Sequence, residues 1–596
     1  MMFWLTLTLS VVILGLAEAK CNANGTAFDF IIVGGGTAGL AVSARLSLSL
    51  PQSCILVLEA GPDGRDEPGI YIPGRKGSTI GGKYDWNLTS TPQPGLSSRV
   101  VPQTRGKVLG GTSALNLMVW DRASAQEFDA WEGLGNPGWN WKSMYKAMLR
   151  VENFFPSEEY GEEGVGHRGP IQTLINRILP EHQKTWIPTM NFLGMESNLE
   201  SLGGYPLGVM RQPTNIRESN YTRSYSPEYL NLAGQNLILK LGMRVAKINF
   251  KKLTATGVTL DNGSILTATK EVIISAGSFQ SPQLLELSGI GSSTVLSAAG
   301  VSIIKELPGV GENLQDHVRI MNSYKLKPNF TSTDILRVNA TYAAQQLALY
   351  NAGEVSLYDY TASGYTYMNW SSISSNTSTY LTNIAKSATP NPSPVDKLKL
   401  SWLEAPYTQT VPQLEIIFSD GLTSVAGYPA ANSSLYGSLF FTLISAVQHP
   451  LSRGNVHITS ANISTPPTIN PNYLSHPYDL AALKVATKFA RQIADTSPMK
   501  EVWDTEYEPG AGVQTEAQWE NFVRKTTLSI YHPVGTCAMI TEKDGGVVSP
   551  ELKVYGVKGL RVVDASVVPV GVGAHMQTVV YGVAERAAEI IAKEYK

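Results

Sequence analysis

The sequence is poor in charge and poorer still in cysteine. Only 16% of its 596 residues are charged, and the formal net charge is −2. That excludes the basic footprint of a nucleic-acid binder and any polybasic membrane patch. The three cysteines, Cys21, Cys54 and Cys537, exclude a disulfide framework. At most one bridge can form, and one thiol then stays free. No C-x-x-C is present, and no metal site is expected. A chain long enough for two large domains buries its core without staples. Past the N-terminus, no apolar run is long enough to span a bilayer. Histidine is also scarce, with eight in all, so histidines in unusual settings carry information.

What is there begins with an apolar start. Met1 to Leu16 carries no charge and is followed by Ala17-Glu18-Ala19, a small-x-small pattern. This reads as a secretory signal peptide, residues 1–19, cut after Ala19. No Lys or Arg precedes the apolar run. A buried strand or a membrane anchor is the alternative, but the run falls short of the ~20 residues of a spanning helix. The expected location is extracellular or the lumen of the secretory pathway, with no membrane anchor. Glycosylation sequons agree. They stand at Asn24, Asn87, Asn220, Asn262, Asn329, Asn339, Asn369, Asn376, Asn432 and Asn462. The crowding from Asn329 to Asn376 predicts one exposed, sugar-coated region.

Phe28 to Val33 is a short run of β-formers. Glycines follow, then Leu40 to Leu50 with helical composition, then a second apolar run, Cys54 to Leu58, ending at Glu59. This is a βαβ unit. Gly34, Gly36 and Gly39 form G-x-G-x-x-G in its turn. The first glycine permits the tight turn, the second a close approach to pyrophosphate, the third close helix packing. The helix N-terminus offers free N–H groups to phosphates. Glu59, at the end of the second strand, suits ribose hydroxyls. This motif does not separate NAD from FAD.

Further on, Val258 to Leu260 and Ile265-Leu266 flank Asn262-Gly263 as a hairpin, and Val272 to Ile274 reads as a buried strand. From about 325 to 530 the chain is richer in Ser, Thr, Asn and Pro. Gln413 to Phe418 and Leu439 to Ala446 read as strands of a separate sheet. Leu560 to Val563 reads as a strand and Gln577 to Ala592 as a helix. The dinucleotide fold is thus assembled from both ends of the chain.

Three more segments carry a resemblance. They are Arg105-Gly106-Lys107-Val108-Leu109-Gly110-Gly111-Thr112-Ser113-Ala114-Leu115-Asn116, Ala276 to Gly291, and Leu307 to His317. With the N-terminal motif they resemble the glucose–methanol–choline (GMC) oxidoreductases, in that family's order, from about Phe28 onward. The look is of secreted fungal aryl-alcohol oxidases and related dehydrogenases. The resemblance implies an α/β fold: a Rossmann-like FAD-binding domain with an inserted α+β substrate domain on an antiparallel sheet. The expected borders are 28–115, 205–325 and 540–596 for FAD, and 116–204 and 326–539 for substrate.

The resemblance also implies FAD in an extended pose. Gly34, Gly36 and Gly39, with Thr37 and Ala38, would meet the pyrophosphate, and Glu59 and Ala60 the adenosine ribose. Arg105, Leu109, Gly110, Thr112, Ser113 and Asn116 would run along the flavin. Val245 would offer a backbone contact to adenine. Ala276, Asp564, Ala565, Gln577 and Thr578 complete the set. Some members bind FAD covalently through a histidine in the Thr112 to Asn116 stretch. None stands here, so dissociable FAD is expected.

His532, in Tyr531-His532-Pro533, and His575, in Gly573-Ala574-His575, carry the expected chemistry. Alcohol oxidation removes a hydroxyl proton and moves a hydride to flavin N5. Imidazole suits the first task, and a second donor must hold the developing alkoxide. The resemblance makes His532 the base and His575 its hydrogen-bonding partner. Roles are open to exchange, since neighbouring imidazoles titrate together. Tyr531 is expected to line the pocket, Tyr365, Tyr367 and Trp370 its entrance, and His317 is read as structural. The expected reaction takes a primary alcohol, aromatic or allylic, to its aldehyde, with O2 or a quinone as acceptor. A non-redox lyase or cyclase keeping FAD as scaffold, and a sugar dehydrogenase, share these motifs.

Overall fold

The structure, a computed structural model, describes residues 21–158, 160, 162–361, 364–404 and 410–596. The expected signal peptide lies outside the described residues.

Two sheets organise the chain. The first has seven strands. Leu237–Leu241, Ile55–Glu59, Ala27–Val33 and Ile265–Ile274 run parallel in that order. Thr254–Leu260 and Val245–Lys251 extend it antiparallel. Leu560–Val562 closes onto the C-terminal half of Ile265–Ile274, again in parallel. Neighbouring residues Phe30, Ile31 and Ile32 are all buried, as are Val272, Ile273 and Ile274. Both faces are therefore covered, which is why these strands read as continuous apolar runs. Burying one such side chain contributes about 1.5–3 kcal/mol. The C-terminal helix Met576–Tyr595 buries Val579, Val580, Val583, Ala584, Ala587 and Ile591, a helical stripe. It packs on the helix Thr37–Ser49 and on Trp141–Leu149.

The second sheet also has seven strands. Trp503–Glu508, Val318–Leu326, Phe440–Val447, Leu414–Asp420, Gly364–Met368 and Gly208–Arg211 follow one another antiparallel. Leu528–Ser529 also pairs with Val318–Leu326. Side chains alternate between faces. Val318, Ile320, Ile416, Phe418, Phe441 and Leu443 join a core with the helix Pro477–Ala494. Met321, Tyr365, Ile417 and Ile444 form a separate cluster on the opposite face.

The sheets correct the expected borders. Gly208–Arg211 and Val318–Leu326 belong to the antiparallel sheet, although 205–325 was assigned to the FAD domain. The first core claims Trp120, Phe128, Trp131, Met144 and Met148 from the 116–204 stretch. Strand pairing and core membership decide these borders, and composition does not report either.

Cys21 and Cys54 form the one possible bridge, and Cys537 is the free, buried thiol. The bridge ties the N-terminal segment to the base of the second parallel strand. The sequon asparagines are exposed, except Asn369, which is only 5% exposed. That corrects the expectation of a glycan there, since a buried amide has no room for a sugar. Among the described residues, no helix is long and apolar enough to cross a membrane.

Candidate active site

A cavity of about 420 Å³ runs from the glycine turn of the first sheet to the face of the second that carries Tyr365, Ile417 and Ile444. Its dinucleotide end is built by the βαβ turn. Gly34 has φ +108°, in the left-handed region, and a Cβ on Gly39 would overlap the Gly34 carbonyl oxygen. The turn is therefore closed to larger residues. Gly36 caps the helix Thr37–Ser49 with no side-chain hydrogen bond to its N–H groups. That leaves donors for an anion. Glu59 accepts from Gly35 N at 2.9 Å and Gly61 N at 2.6 Å. Burial lifts its pKa to about 7, although the Gly61, Gly35 and Ala60 amides oppose the shift.

Most residues expected at the cofactor line this cavity: Gly34, Gly36, Thr37, Ala38, Glu59, Ala60, Arg105, Thr112, Ser113, Asn116, Val245, Ala276, Asp564, Ala565 and Gln577. Gly39 acts from beneath, through packing. Three expectations are corrected. Leu109 is buried in the first core. Gly110 turns the chain at φ 96°, its carbonyl accepting from Ser113 Oγ at 2.6 Å. The Thr578 hydroxyl donates to the Asp121 carbonyl, away from the cavity. Asp564 reaches the cavity, but its carboxylate is occupied. It accepts from Gly277 N at 2.8 Å, Ser281 Oγ at 2.5 Å and Ser566 N at 2.8 Å. The sequence reading missed Trp86 and Arg244, which line the cavity with a cation–π contact of 5.0 Å.

At the other end stand His532 and His575, ring centres 4.9 Å apart and planes at 81°. Tyr531, before His532, has φ 67°, a costly conformation for a side chain of this size. It is pinned by Ser529 Oγ, which accepts from Tyr531 N at 2.6 Å, and by Arg105, which donates to Tyr531 O at 2.7 Å. The turn delivers His532, whose N–H donates to Asp316 Oδ1 at 2.8 Å. His532 Nδ1 lies 3.0 Å from His317 Nδ1, so His317 is more than structural packing. Burial, then the nearby His575, His317, Arg105 and Arg319, hold the His532 pKa well below the usual imidazole range.

His575 is the N-cap of the last helix. Its backbone N donates to Asp121 Oδ1 at 2.9 Å, and its Nδ1 lies 2.7 Å from Asp121 Oδ2. Glu415 Oε1 lies 3.6 Å from the same nitrogen. Tyr367 donates to Asp121 Oδ2 at 2.6 Å and lies 3.1 Å from Glu415 Oε1. Burial opposes charge on His575, but Glu415 and Asp121 prevail and raise its pKa to about 9. Glu415 is raised to about 7 by burial, against the pull of His575. Asp121, Glu415 and His575 place ligand atoms within 4.8 Å of one another. The 2.7 Å contact between two of them is a hydrogen bond, holding a proton between the atoms.

Tyr531 and Tyr365 line the cavity as expected. Tyr367 does not, serving the carboxylates instead. Trp370 is fully buried, its indole donating to Tyr478 Oη at 2.9 Å. Asp121 and Glu415 carried no sequence signal beyond being acidic.

Fold and site together define a dinucleotide-binding oxidoreductase with paired imidazoles. Models of the GMC oxidoreductases match residues 28–319 and 450–584. The GMC oxidoreductase family protein Mala s 12 of Malassezia sympodialis is 36% identical over 96% of this chain and 93% of its own. An FAD-dependent oxidoreductase from Chaetomium thermophilum superposes with a TM-score of 0.86 at 30% identity, covering 95% of this chain and 99% of its own. A fungal aryl-alcohol oxidase does so with 0.82 at 27%, covering 96% and 100%. The chain belongs to the GMC oxidoreductase family, and its cofactor is FAD.

Proposed function

We propose that this enzyme oxidises a primary alcohol, aromatic or allylic, to the aldehyde, with O2 or a quinone as final acceptor. The observation that carries the reading is the pair of imidazoles at one cavity wall, ring centres 4.9 Å apart, one set against His317 and the other against Asp121. His532, kept neutral, takes the hydroxyl proton. His575, kept cationic by Asp121 and Glu415, donates a hydrogen bond to the alkoxide as charge develops. FAD, when bound, supplies the two-electron acceptor. The Tyr365, Ile417, Ile444, Ile530 and Tyr531 side chains exclude water and favour a flat apolar group. The likeness to an aryl-alcohol oxidase agrees.

FAD is held without a covalent histidine link, since the Thr112 to Asn116 stretch has none. The protein enters the secretory pathway. The apolar start, the exposed sequons and the Cys21–Cys54 bridge support this, because such bridges persist in oxidising compartments.

Anaerobic mixing of the purified holoenzyme with aryl, aliphatic and sugar alcohols tests the reaction. Bleaching of the flavin absorbance by aryl alcohols is expected. No bleaching with any alcohol, together with turnover of a cyanohydrin or ketone, would overturn it in favour of lyase or cyclase chemistry. Preferential bleaching by sugars would make it a sugar dehydrogenase.

A further inference from the structure

The cavity wall opposite the dinucleotide turn is one face of the antiparallel sheet. Its register sets Tyr367, Glu415, Ala446 and Arg319 side by side across four strands. Neighbouring strands lie ~4.8 Å apart. Arg319 therefore stands two strands, roughly 10 Å, from Glu415. Tyr367 and Glu415 answer His575 and each other. Arg319 bonds the Tyr531 side chain and the Ser529 carbonyl, both uncharged.

Arg319 lines the cavity. Its Nε donates to Ser529 O at 3.1 Å, and its guanidinium carbon lies 5.8 Å from the centre of the Tyr531 ring. No carboxylate forms an ion pair with it among the described residues. Asp316, the acid that influences it, is already engaged by Tyr473 Oη at 2.5 Å, Ser529 Oγ at 2.5 Å and His532 N at 2.8 Å. Lys76 lines the same cavity, its Nζ 5.3 Å from the Tyr360 ring centre. It too has no ion-pair partner among the described residues.

The only acids lining the cavity among the described residues are Glu59 and Asp564. Both sit at the dinucleotide end and are bonded to backbone amides. The substrate end is thus lined by Arg319, Lys76 and His575, and the two carboxylates near it, Asp121 and Glu415, are turned to His575. Withdrawing a guanidinium from water without a counter-charge is costly. Its planar fork matches a carboxylate in two parallel hydrogen bonds.

We propose that the substrate carries a carboxylate, bound by Arg319, with Lys76 drawing the anion into the cavity. Arg319 and both imidazoles line the same cavity, so a substrate that meets them together carries its carboxylate away from the reacting hydroxyl. The substrate class is then an aromatic alcohol bearing a carboxylate across the ring from its hydroxymethyl group. The assignment rests on the alcohol oxidation proposed above.

Two readouts on the holoenzyme test it. One is anaerobic flavin reduction by 4-(hydroxymethyl)benzoate against its methyl ester. The other is calorimetric binding of benzoate against benzamide, which involves no turnover. A charged hydrogen bond contributes about 1.5–3 kcal/mol, so a preference of about tenfold or more for each carboxylate is expected. Arg319→Ala should bring both ratios close to one, and Arg319→Lys should keep part of them. Equal handling of acid and ester, or of benzoate and benzamide, by the unaltered enzyme overturns the proposal. So does an undiminished preference in Arg319→Ala. If that variant does not fold, the unaltered enzyme's two ratios decide. If no alcohol reduces the flavin, the oxidation reading fails alone, and the benzoate-to-benzamide ratio still decides the anion site.

Discussion

The Nδ1 atoms of His317 and His532 face each other at 3.0 Å. One must carry the proton and the other accept it. A backbone hydrogen bond to Gln448 favours the protonated His317 ring, as a carbonyl acceptor does. His317 then carries its proton toward Gln448 and accepts at Nδ1. His532 donates from Nδ1 and keeps Nε2 bare, the form a base requires.

Removing that acceptor should disturb the base without touching the substrate. His317→Phe should slow flavin reduction about 10- to 100-fold, the usual cost of losing an orienting partner. His317→Asn should restore part of the loss. A changed pH profile of reduction separates this from simple loosening, and an unchanged rate in His317→Phe would dismiss the role.

Loss of His532, the proposed base, should cost more. His532→Ala is expected to slow flavin reduction by roughly 10²–10⁴ while FAD stays bound. Stopped-flow absorbance reads both quantities, and near-normal reduction refutes the assignment.

His575 sets an alkaline limit. Its pKa of about 9 in the folded protein lies above the ordinary 6.5. The cation donates the hydrogen bond, so reduction should fall as pH rises through about 9. Stability follows the same sign: the contribution of the ion pair is full below about 6.5 and is lost through about 9. Glu415→Gln removes an anion and should move the limit downward. A limit that stays in place would exclude Glu415 as the cause.

At the other end, Gly39→Ala should yield flavin-free protein. The added methyl meets the Gly34 carbonyl oxygen and opens the turn. The ratio of flavin to protein absorbance checks this.

The bridge lends itself to a chemical test. Cys21 and Cys54 close a loop of 33 residues, for which chain entropy gives roughly 3–4 kcal/mol. Cys54→Ala should lower the melting temperature accordingly. A thiol reagent should find no reactive cysteine in the native protein and one, Cys537, after unfolding without reductant.

Elements with local signals were readable in the sequence. The apolar strands Phe28 to Val33 and Cys54 to Leu58, the glycine turn, Glu59 and the last helix all lie where periodicity put them. So does the strand pair around Asn262-Gly263; the two histidines were singled out by the family resemblance and not by periodicity. What stayed hidden depends on contacts far apart in the chain. Asp121, Glu415 and Tyr367 meet His575 only because strand register and the last helix bring four segments together. The strands Gly208–Arg211 and Val318–Leu326 crossed the expected borders for the same reason. Leu109 and Thr578 were misjudged because a motif fixes position along the chain and not the direction a side chain faces, and Gly110 because it serves the turn.

Alternation in the antiparallel sheet has a further effect. Arg319, Tyr365, Ile417 and Ile444 line the cavity, while their neighbours Ile320, Ile416 and Leu443 anchor the core behind. Tyr365, Ile417 and Ile444 can therefore change the shape of the cavity while the layer behind them keeps the fold. A change of shape there leaves the paired imidazoles in place, because His317, Asp316 and Asp121 hold them from outside that wall.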